Sequence, residues 1–199
     1  MCSRFENKES GISIFKRLNK NSSGNYVLEE FDDVKNQNIA PTDRIIVLLR
    51  KDHKFIITDA QWGIKFKNEK TSPLIFNSRI ETIREKSFWK NLFANNRCLV
   101  PATAFYEWKT FNNKKIPHKI SLENCDLFFF SSIYTVISNI LSVSIITTEP
   151  NNFMKNIHRR MPHINSSDYI NSFFYSQTDL LLNDIKPLSN EIPMRIDKL

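Results

Sequence analysis

A cysteine at position 2 has chemistry that an internal cysteine lacks. Methionine aminopeptidases remove Met1 when the second residue is small, and the chain then begins with an α-amine and a thiol on one carbon framework. The amine, with an ordinary pKa of about 7.7 to 8.0, is substantially unprotonated near neutral pH, and the thiol ionises at about 8.5. Toward an aldehyde such an amine forms a Schiff base, and the thiolate then closes a five-membered thiazolidine. On position alone, the plainer reading of Cys2 is a chance residue on a frayed terminus.

Three other places offer groups that move protons or hold anions. His158 opens the run His158-Arg159-Arg160-Met161-Pro162. An imidazole with a pKa near 6.5 is the usual proton shuttle at neutral pH, and neighbouring arginines can grip phosphates bidentately. The alternative is a helix C-terminus carrying cations that suit the macrodipole. His158 and His163 do not read as a zinc pair, because no cysteine or acidic partner accompanies them. Glu107 lies between Tyr106 and Trp108 in the apolar run CLVPATAFYEW, residues 98–108. Desolvation there would raise its pKa and suit it to acid/base work, whereas strand alternation could equally put it on the solvent face. Asn77 opens NSRIET, residues 77–82. It reads as a helix N-cap or turn residue, with an orienting hydrogen bond as the functional alternative.

The elements that must position these residues are legible in outline. Residues 44–50 and 54–66 predict a β-hairpin turning at Asp52-His53. Apolar residues at 80, 83, 88, 92 and 93 predict an amphipathic helix over 80–93, and a short amphipathic turn is expected around Ile12 to Leu18. Strands are predicted over 98–108 and 117–122, and helical segments from Pro150 through Asn156 and over 167–175. Residues 127–148 carry no charge over 22 residues and could just span a bilayer. Nine of them are Ser, Thr or Asn, and the run breaks at Ser138-Asn139, so a buried β-hairpin is the better reading. Strands arriving as neighbouring hairpins, interspersed with helices, favour an α+β class.

Composition narrows the rest. The 199 residues have a formal net charge of +7 and are 41% hydrophobic, a globular composition that suits one domain of ordinary size or two small ones. Only three glycines occur, and no two lie within ten residues, which argues against phosphate-cradling and dinucleotide-binding loops. The 22 asparagines, 24 isoleucines and 18 lysines suggest AT-rich coding, so charge alone is a weak argument for nucleic acid. Cys2, Cys98 and Cys125 have no CxxC spacing and suit a reducing compartment. No apolar leader segment opens the chain.

Taken in order, MCSRF, NIAPT at 38–42, QWGI at 61–64, NSRIET, RCLVPATAFYEW at 97–108, IITTEPNNFMKNIHRRMP at 145–162 and KPLS at 186–189 resemble the motifs of the SOS response-associated peptidase (SRAP) family, the abasic-site processing proteins. The resemblance covers almost the whole chain. It implies a single α+β domain over 1–199, with a curved, barrel-like antiparallel β core flanked by helices. It also implies recognition of abasic sites in single-stranded DNA, in the DNA damage response, with a covalent thiazolidine crosslink through Cys2. By the same resemblance, Asn77 would position Cys2, Glu107 would contact the α-amine and aid ring closure, and His158 would act as general acid/base on the sugar oxygen. Arg4, Arg79 and Arg160 would grip phosphates, Asn38, Pro41 and Thr147 would line the pocket, and Trp62, Met161 and Pro162 would fall among the DNA contacts. No cofactor, metal or nucleotide is implied, and the expected partner is abasic single-stranded DNA bound by a monomer in the bacterial cytoplasm at the nucleoid, with no membrane role.

Departures from the family pattern mark what needs inspection. Ser3 replaces a usual glycine, which would strain the backbone if that position needs a positive φ. After Trp62-Gly63 a proline and tryptophan that wedge against DNA are missing from IKFKNEK, where Lys65 and Lys67 could offer charge instead. Thr103-Ala104 stands where Asp-Gly is usual. Competing readings are a noncovalent single-strand binder that has lost crosslinking and a Cys-His-Asn peptide hydrolase. The family's autopeptidase role would find only Met1 ahead of Cys2.

Overall fold

A chain this poor in glycine must make its tight turns with other residues, and it does so three times in the same way. Asp52-His53, Asn112-Asn113 and Ser138-Asn139 all carry positive φ, between 47° and 64°. Each pair connects two antiparallel strands as a two-residue loop, the geometry whose backbone twist matches the strands it joins. In the computed structural model, which describes residues 2–21, 24–31, 34, 36–66 and 72–199, these turns organise most of the β structure.

Strand Arg4–Glu6 (β1) leads into helix Gly11–Asn21 (α1), strand Tyr26–Leu28 (β2) and the hairpin of Arg44–Lys51 (β3) with Lys54–Trp62 (β4). A short strand, Asn77–Arg79 (β5), runs straight into helices Ile80–Glu85 (α2) and Ser87–Asn95 (α3). Strands Arg97–Ala102 (β6), Ala104–Phe111 (β7), Lys114–Leu122 (β8), Phe128–Ile137 (β9) and Ile140–Thr148 (β10) follow. Two-residue strands Met161–Pro162 (β11) and Ile164–Asn165 (β12), a 3-10 turn at Ser167–Tyr169, helices Ile170–Tyr175 (α4) and Thr178–Asp184 (α5), and strand Met194–Lys198 (β13) complete the chain.

Strands β10, β4, β3, β6 and β9 pair in that order, and β9 pairs back onto β10, closing a five-stranded barrel. Four seams are antiparallel, and the β4–β10 seam is parallel. A second sheet, in the order β1, β7, β8, β13, lies alongside. Strand alternation divides the apolar residues into two buried clusters. Ile45, Val47, Val100, Phe130, Val143 and Ile145 pack with Phe5 and Trp62, while Ile46, Leu48, Leu99, Phe129 and Ile146 pack with Ile83, Phe93, Phe173 and Leu182 of the helices.

Residues 127–148 form the β9–β10 hairpin, as predicted, and burial on both faces of 127–133 and 142–148 accounts for the missing charge there, while the tip at Val136 and Ile140 is exposed. Buried hydroxyls among them are paired inside the protein. Ser144 and Ser78 hydroxyls lie 2.8 Å apart, and Ser131 Oγ accepts from Asn165 Nδ2 at 2.7 Å. No helix among the described residues is long and apolar enough to cross a membrane.

Several predicted elements are divided or replaced. The 80–93 helix is two helices, because Lys86 is extended at φ −104° and ψ 118°. The 98–108 strand breaks at Thr103, whose N–H donates to Glu6 O at 2.9 Å. That break lets β6 stay in the barrel while β7 enters the second sheet. The predicted helix from Pro150 to Asn156 is a series of turns closed by bonds such as Met154 N to Asn151 O, so His158 does not follow a helix. Asn77 is likewise not a cap: α2 is capped by Arg79 without a side-chain bond.

Candidate active site

The second sheet and the barrel meet at the N-terminus. β1 pairs with β7 in the register Arg4↔Tyr106, and Phe5 exchanges backbone bonds with Ile39, so Cys2 is delivered to a fixed place and is fully buried. Asn77 Nδ2 donates to Cys2 O at 2.7 Å. Its position comes from β5, which runs parallel to β10 with Asn77 beside Ile145.

Glu107 follows Tyr106 on β7 and is 2% exposed. Alternation therefore resolved toward burial, and burial pushes its carboxyl up to about 7. The Cys2 thiol is also pushed well up, first by burial and then by the Glu107 charge. His158 Nδ1 stands 3.8 Å from Glu107 Oε1. Burial holds the imidazole pKa below its ordinary value. Burial thus favours the uncharged form of each group, the protonated carboxyl of Glu107 and the neutral imidazole of His158. His158 Nδ1 lies 3.1 Å from both the N and the O of Arg160, so one backbone residue serves the ring in either protonation state: it donates to the bare nitrogen and accepts from the protonated one.

A cleft of about 510 Å³ opens over Glu107 and His158, lined also by Ser3, Arg4, Trp108 and Lys115. A smaller cavity of about 270 Å³ opens beside Asn77, Arg79, Thr82 and Trp89. Among the described residues no group of three or more His, Cys, Asp or Glu side chains could hold a metal ion.

The other predicted contacts divide into rim and support. Arg4 is half-buried, donates to Ser3 O at 2.7 Å and lines the larger cleft, while Arg79 is exposed at the smaller one. Asn38 is exposed and Pro41 half-buried, on a loop tied down by Ile39 N to Phe5 O and Thr42 N to Trp62 O. Arg160 makes a bidentate pair with Glu81 at 2.7 and 2.9 Å and also donates to Thr147 O, so a phosphate must compete with that carboxylate. Thr147 is fully buried behind it.

Trp62, Met161 and Pro162, expected among the DNA contacts, are buried. Trp62 donates from Nε1 to Phe76 O at 2.9 Å and meets Phe5 edge-on at 5.1 Å, supporting β1 from behind. Met161 Sδ accepts from Asn151 N–H. Ser3 is not among the described non-glycine residues with positive φ, so the strain expected from losing a glycine is absent. Lys65 is half-buried, and Lys67 lies outside the described residues.

Two features escaped sequence reading. Glu81, which occupies Arg160, lies 79 residues from it, and its place in NSRIET reads only as a helical first turn. The buried Glu6 carboxyl is pushed up by burial but brought below its ordinary value overall by hydrogen bonds from Lys119 and Tyr106. That pairing fastens β1 to β7 and β8.

Residues 1–195 match the family described as SOS response associated peptidase (SRAP). The chain is 33% identical over 184 residues to the abasic site processing protein YoqW of Bacillus subtilis, covering 86% of this chain and 80% of that protein. It is 38% identical over 141 residues to the abasic site processing protein YoaM of the same organism, covering 66% of this chain but only 62% of that protein. A solved structure from Bacteroides thetaiotaomicron superposes with a TM-score of 0.79 at 20% identity, covering 100% of this chain and 92% of that one. Another, from Bordetella bronchiseptica, reaches 0.80 at 15% identity, covering 100% and 99%. At such identities the structures speak for the fold, whereas the family match spans residues 1–195 and so includes every residue described around the cleft. The chain belongs to the SOS response associated peptidase family.

Proposed function

We propose that this protein processes abasic sites in single-stranded DNA by capturing the ring-opened sugar covalently at Cys2, acting as a monomer. The observation that carries the reading is that three separate parts of the chain meet around the N-terminal cysteine: Asn77, at one cavity, bonds to the Cys2 backbone, while Glu107, whose charge acts on the Cys2 thiol, lines a second cleft with His158 3.8 Å away. The names of the relatives, abasic site processing proteins, support the same substrate.

An abasic deoxyribose is mostly a cyclic hemiacetal, and capture needs its open aldehyde. Neutral His158 takes the proton of the anomeric hydroxyl as the ring opens and returns one to the ring oxygen. With Met1 removed, the α-amine of Cys2 adds to the aldehyde carbon, and loss of water leaves a protonated Schiff base. Burial disfavours the free thiolate, so the amine acts first. The cationic imine then lowers the thiol pKa, Sγ bonds to the imine carbon, and the displaced π electrons return to nitrogen. Glu107, holding its proton up to about pH 7, exchanges protons with the amine during both steps. The sum is aldehyde plus aminothiol giving thiazolidine plus water. Arg4 and Arg79 supply the phosphate attraction, which falls steeply with salt.

The test is a denaturing gel of the Met1-processed protein, its N-terminus verified by mass spectrometry, with a single-stranded oligonucleotide bearing one abasic site. The wild type should give a denaturation-resistant adduct and Cys2→Ala none. Equal adduct from both, or none from either, overturns covalent capture at Cys2.

A further inference from the structure

Three aromatic rings stand together on the surface where the core has no use for all of them. Phe66, Phe88 and Trp89 meet edge-on in every pairing, with ring centroids 5.3, 5.9 and 5.4 Å apart. Phe88 is 55% exposed and Phe66 38% exposed. Helix α3 has an ordinary buried face, with Phe93 fully inside and Trp89 and Leu92 packed partly against the core, the spacing of one apolar stripe. Phe88 stands outside that stripe. A single exposed phenylalanine needs no explanation, whereas a contiguous patch of rings marks a contact surface.

What lies beside the patch indicates its occupant. Trp89 lines the same small cavity as Asn77 and Arg79, and Asn77 is hydrogen-bonded to Cys2. The rings are therefore continuous with the candidate active site, on the Asn77 side rather than the Glu107 side. Cations accompany them: exposed Arg79 shares the cavity with Trp89, exposed Lys86 stands two residues before Phe88 in the chain, and Lys65 immediately precedes Phe66. Aromatic faces interleaved with basic residues at the rim of a site suit an unpaired nucleotide, whose base stacks while its phosphates meet the cations. A surface made to pack against another protein would have less use for those cations.

We propose that Phe66, Phe88 and Trp89 form a base-stacking platform for the unpaired nucleotide next to the lesion, so that the strand crosses Cys2 between this platform and the Glu107–His158 cleft. The inference rests on the reading of Cys2 as a nucleophile for abasic single-stranded DNA.

The probe is a single-stranded oligonucleotide carrying a tetrahydrofuran spacer, which has no aldehyde and reports noncovalent binding alone, with 2-aminopurine on either side in separate samples. Phe88→Ala should weaken binding about 5- to 100-fold, the range expected for losing one stacked base. It should leave the slope of affinity against salt unchanged, since no phosphate contact is removed, and abolish the fluorescence change of the flanking 2-aminopurine. Phe88→Trp should restore all three, and Leu180→Ala, removing an exposed apolar residue on α5, should change none. Binding by Phe88→Ala within twofold of wild type overturns the platform. So does a wild-type dimer that Phe88→Ala dissociates without altering DNA affinity, which would assign the patch to a second copy of the chain. Should the wild type bind the spacer oligonucleotide through Phe88 yet form no adduct with an abasic one, covalent capture fails and the platform stands. Failure of the wild type to bind either oligonucleotide overturns both.

Discussion

Asn77 Nδ2 and Cys2 O lie 2.7 Å apart across 75 residues of sequence, and this bond holds the Cys2 backbone against the end of the barrel. Displacing a reacting group by about 1 Å can cost about 100-fold in rate, whereas losing one hydrogen bond costs only about 1 kcal/mol of stability. Asn77→Ala should therefore slow single-turnover crosslinking about 10- to 100-fold while lowering Tm by only a few degrees. Asn77→Asp, with no donor at neutral pH, should do no better. A wild-type rate in Asn77→Ala would show that Cys2 is held by its strand alone.

Glu107 ties pH to both stability and rate. Its carboxyl holds a proton to about pH 7 in the fold but releases it near 4.5 when exposed, so between those values the folded state binds more protons. Stability is then fully present below pH 4.5 and declines as pH rises through 7. Glu107→Gln removes that penalty and should gain on the order of 3 kcal/mol relative to wild type between pH 4 and pH 8, from about 1.4 kcal/mol per pKa unit. Urea denaturation at the two pH values measures it. The same variant should slow crosslinking and erase the inflection near pH 7 from the rate profile.

Glu81 holds Arg160 through both oxygens at 2.7 and 2.9 Å. The Glu81 side chain is 46% exposed, so the pair is worth no more than about 1 kcal/mol to the fold. Its consequence for binding is larger if Arg160 meets a phosphate. Glu81→Gln should strengthen binding to the spacer oligonucleotide a few-fold at low salt and steepen the salt slope by about 0.7, one phosphate on a single strand. Fluorescence anisotropy across a salt series reads both. An unchanged slope would confine Arg160 to bracing Thr147.

How far the sequence reached depends on whether a feature is local. The β3–β4 and β9–β10 hairpins were readable because strand runs and turn pairs are neighbours in the chain, and the uncharged run was readable because its two ends, away from the turn, are buried on both faces. The Thr103 break was not, since it is caused by Glu6 from almost a hundred residues away. The single 80–93 helix was predicted because apolar spacing survives across the extended Lys86. Phe88 was counted in that stripe, although the second helix leaves it facing outward. At the site, the residue types at Cys2, Asn77, Glu107 and His158 were legible through their motifs. Whether Glu107 faces inward, and that Arg160 is occupied, depend on partners that no motif contains.

Trp62 sharpens the difference between touching DNA and supporting the groups that do. It is fully buried, packs edge-on against Phe5 at 5.1 Å and Phe76 at 6.0 Å, and gives its indole N–H to Phe76 O. Phe5 belongs to the strand that presents Cys2, and Phe76 precedes Asn77. Trp62→Phe therefore leaves a void between these two supports and a carbonyl without its donor, for a combined cost of about 2 to 4 kcal/mol. Under conditions where the variant remains folded, its affinity for the spacer oligonucleotide should stay within twofold of wild type, because no DNA-facing surface has changed. Its crosslinking rate should nonetheless fall, because Cys2 and Asn77 lose their common backing. A loss of affinity as large as that of Phe88→Ala, with stability intact, would instead place Trp62 on the DNA.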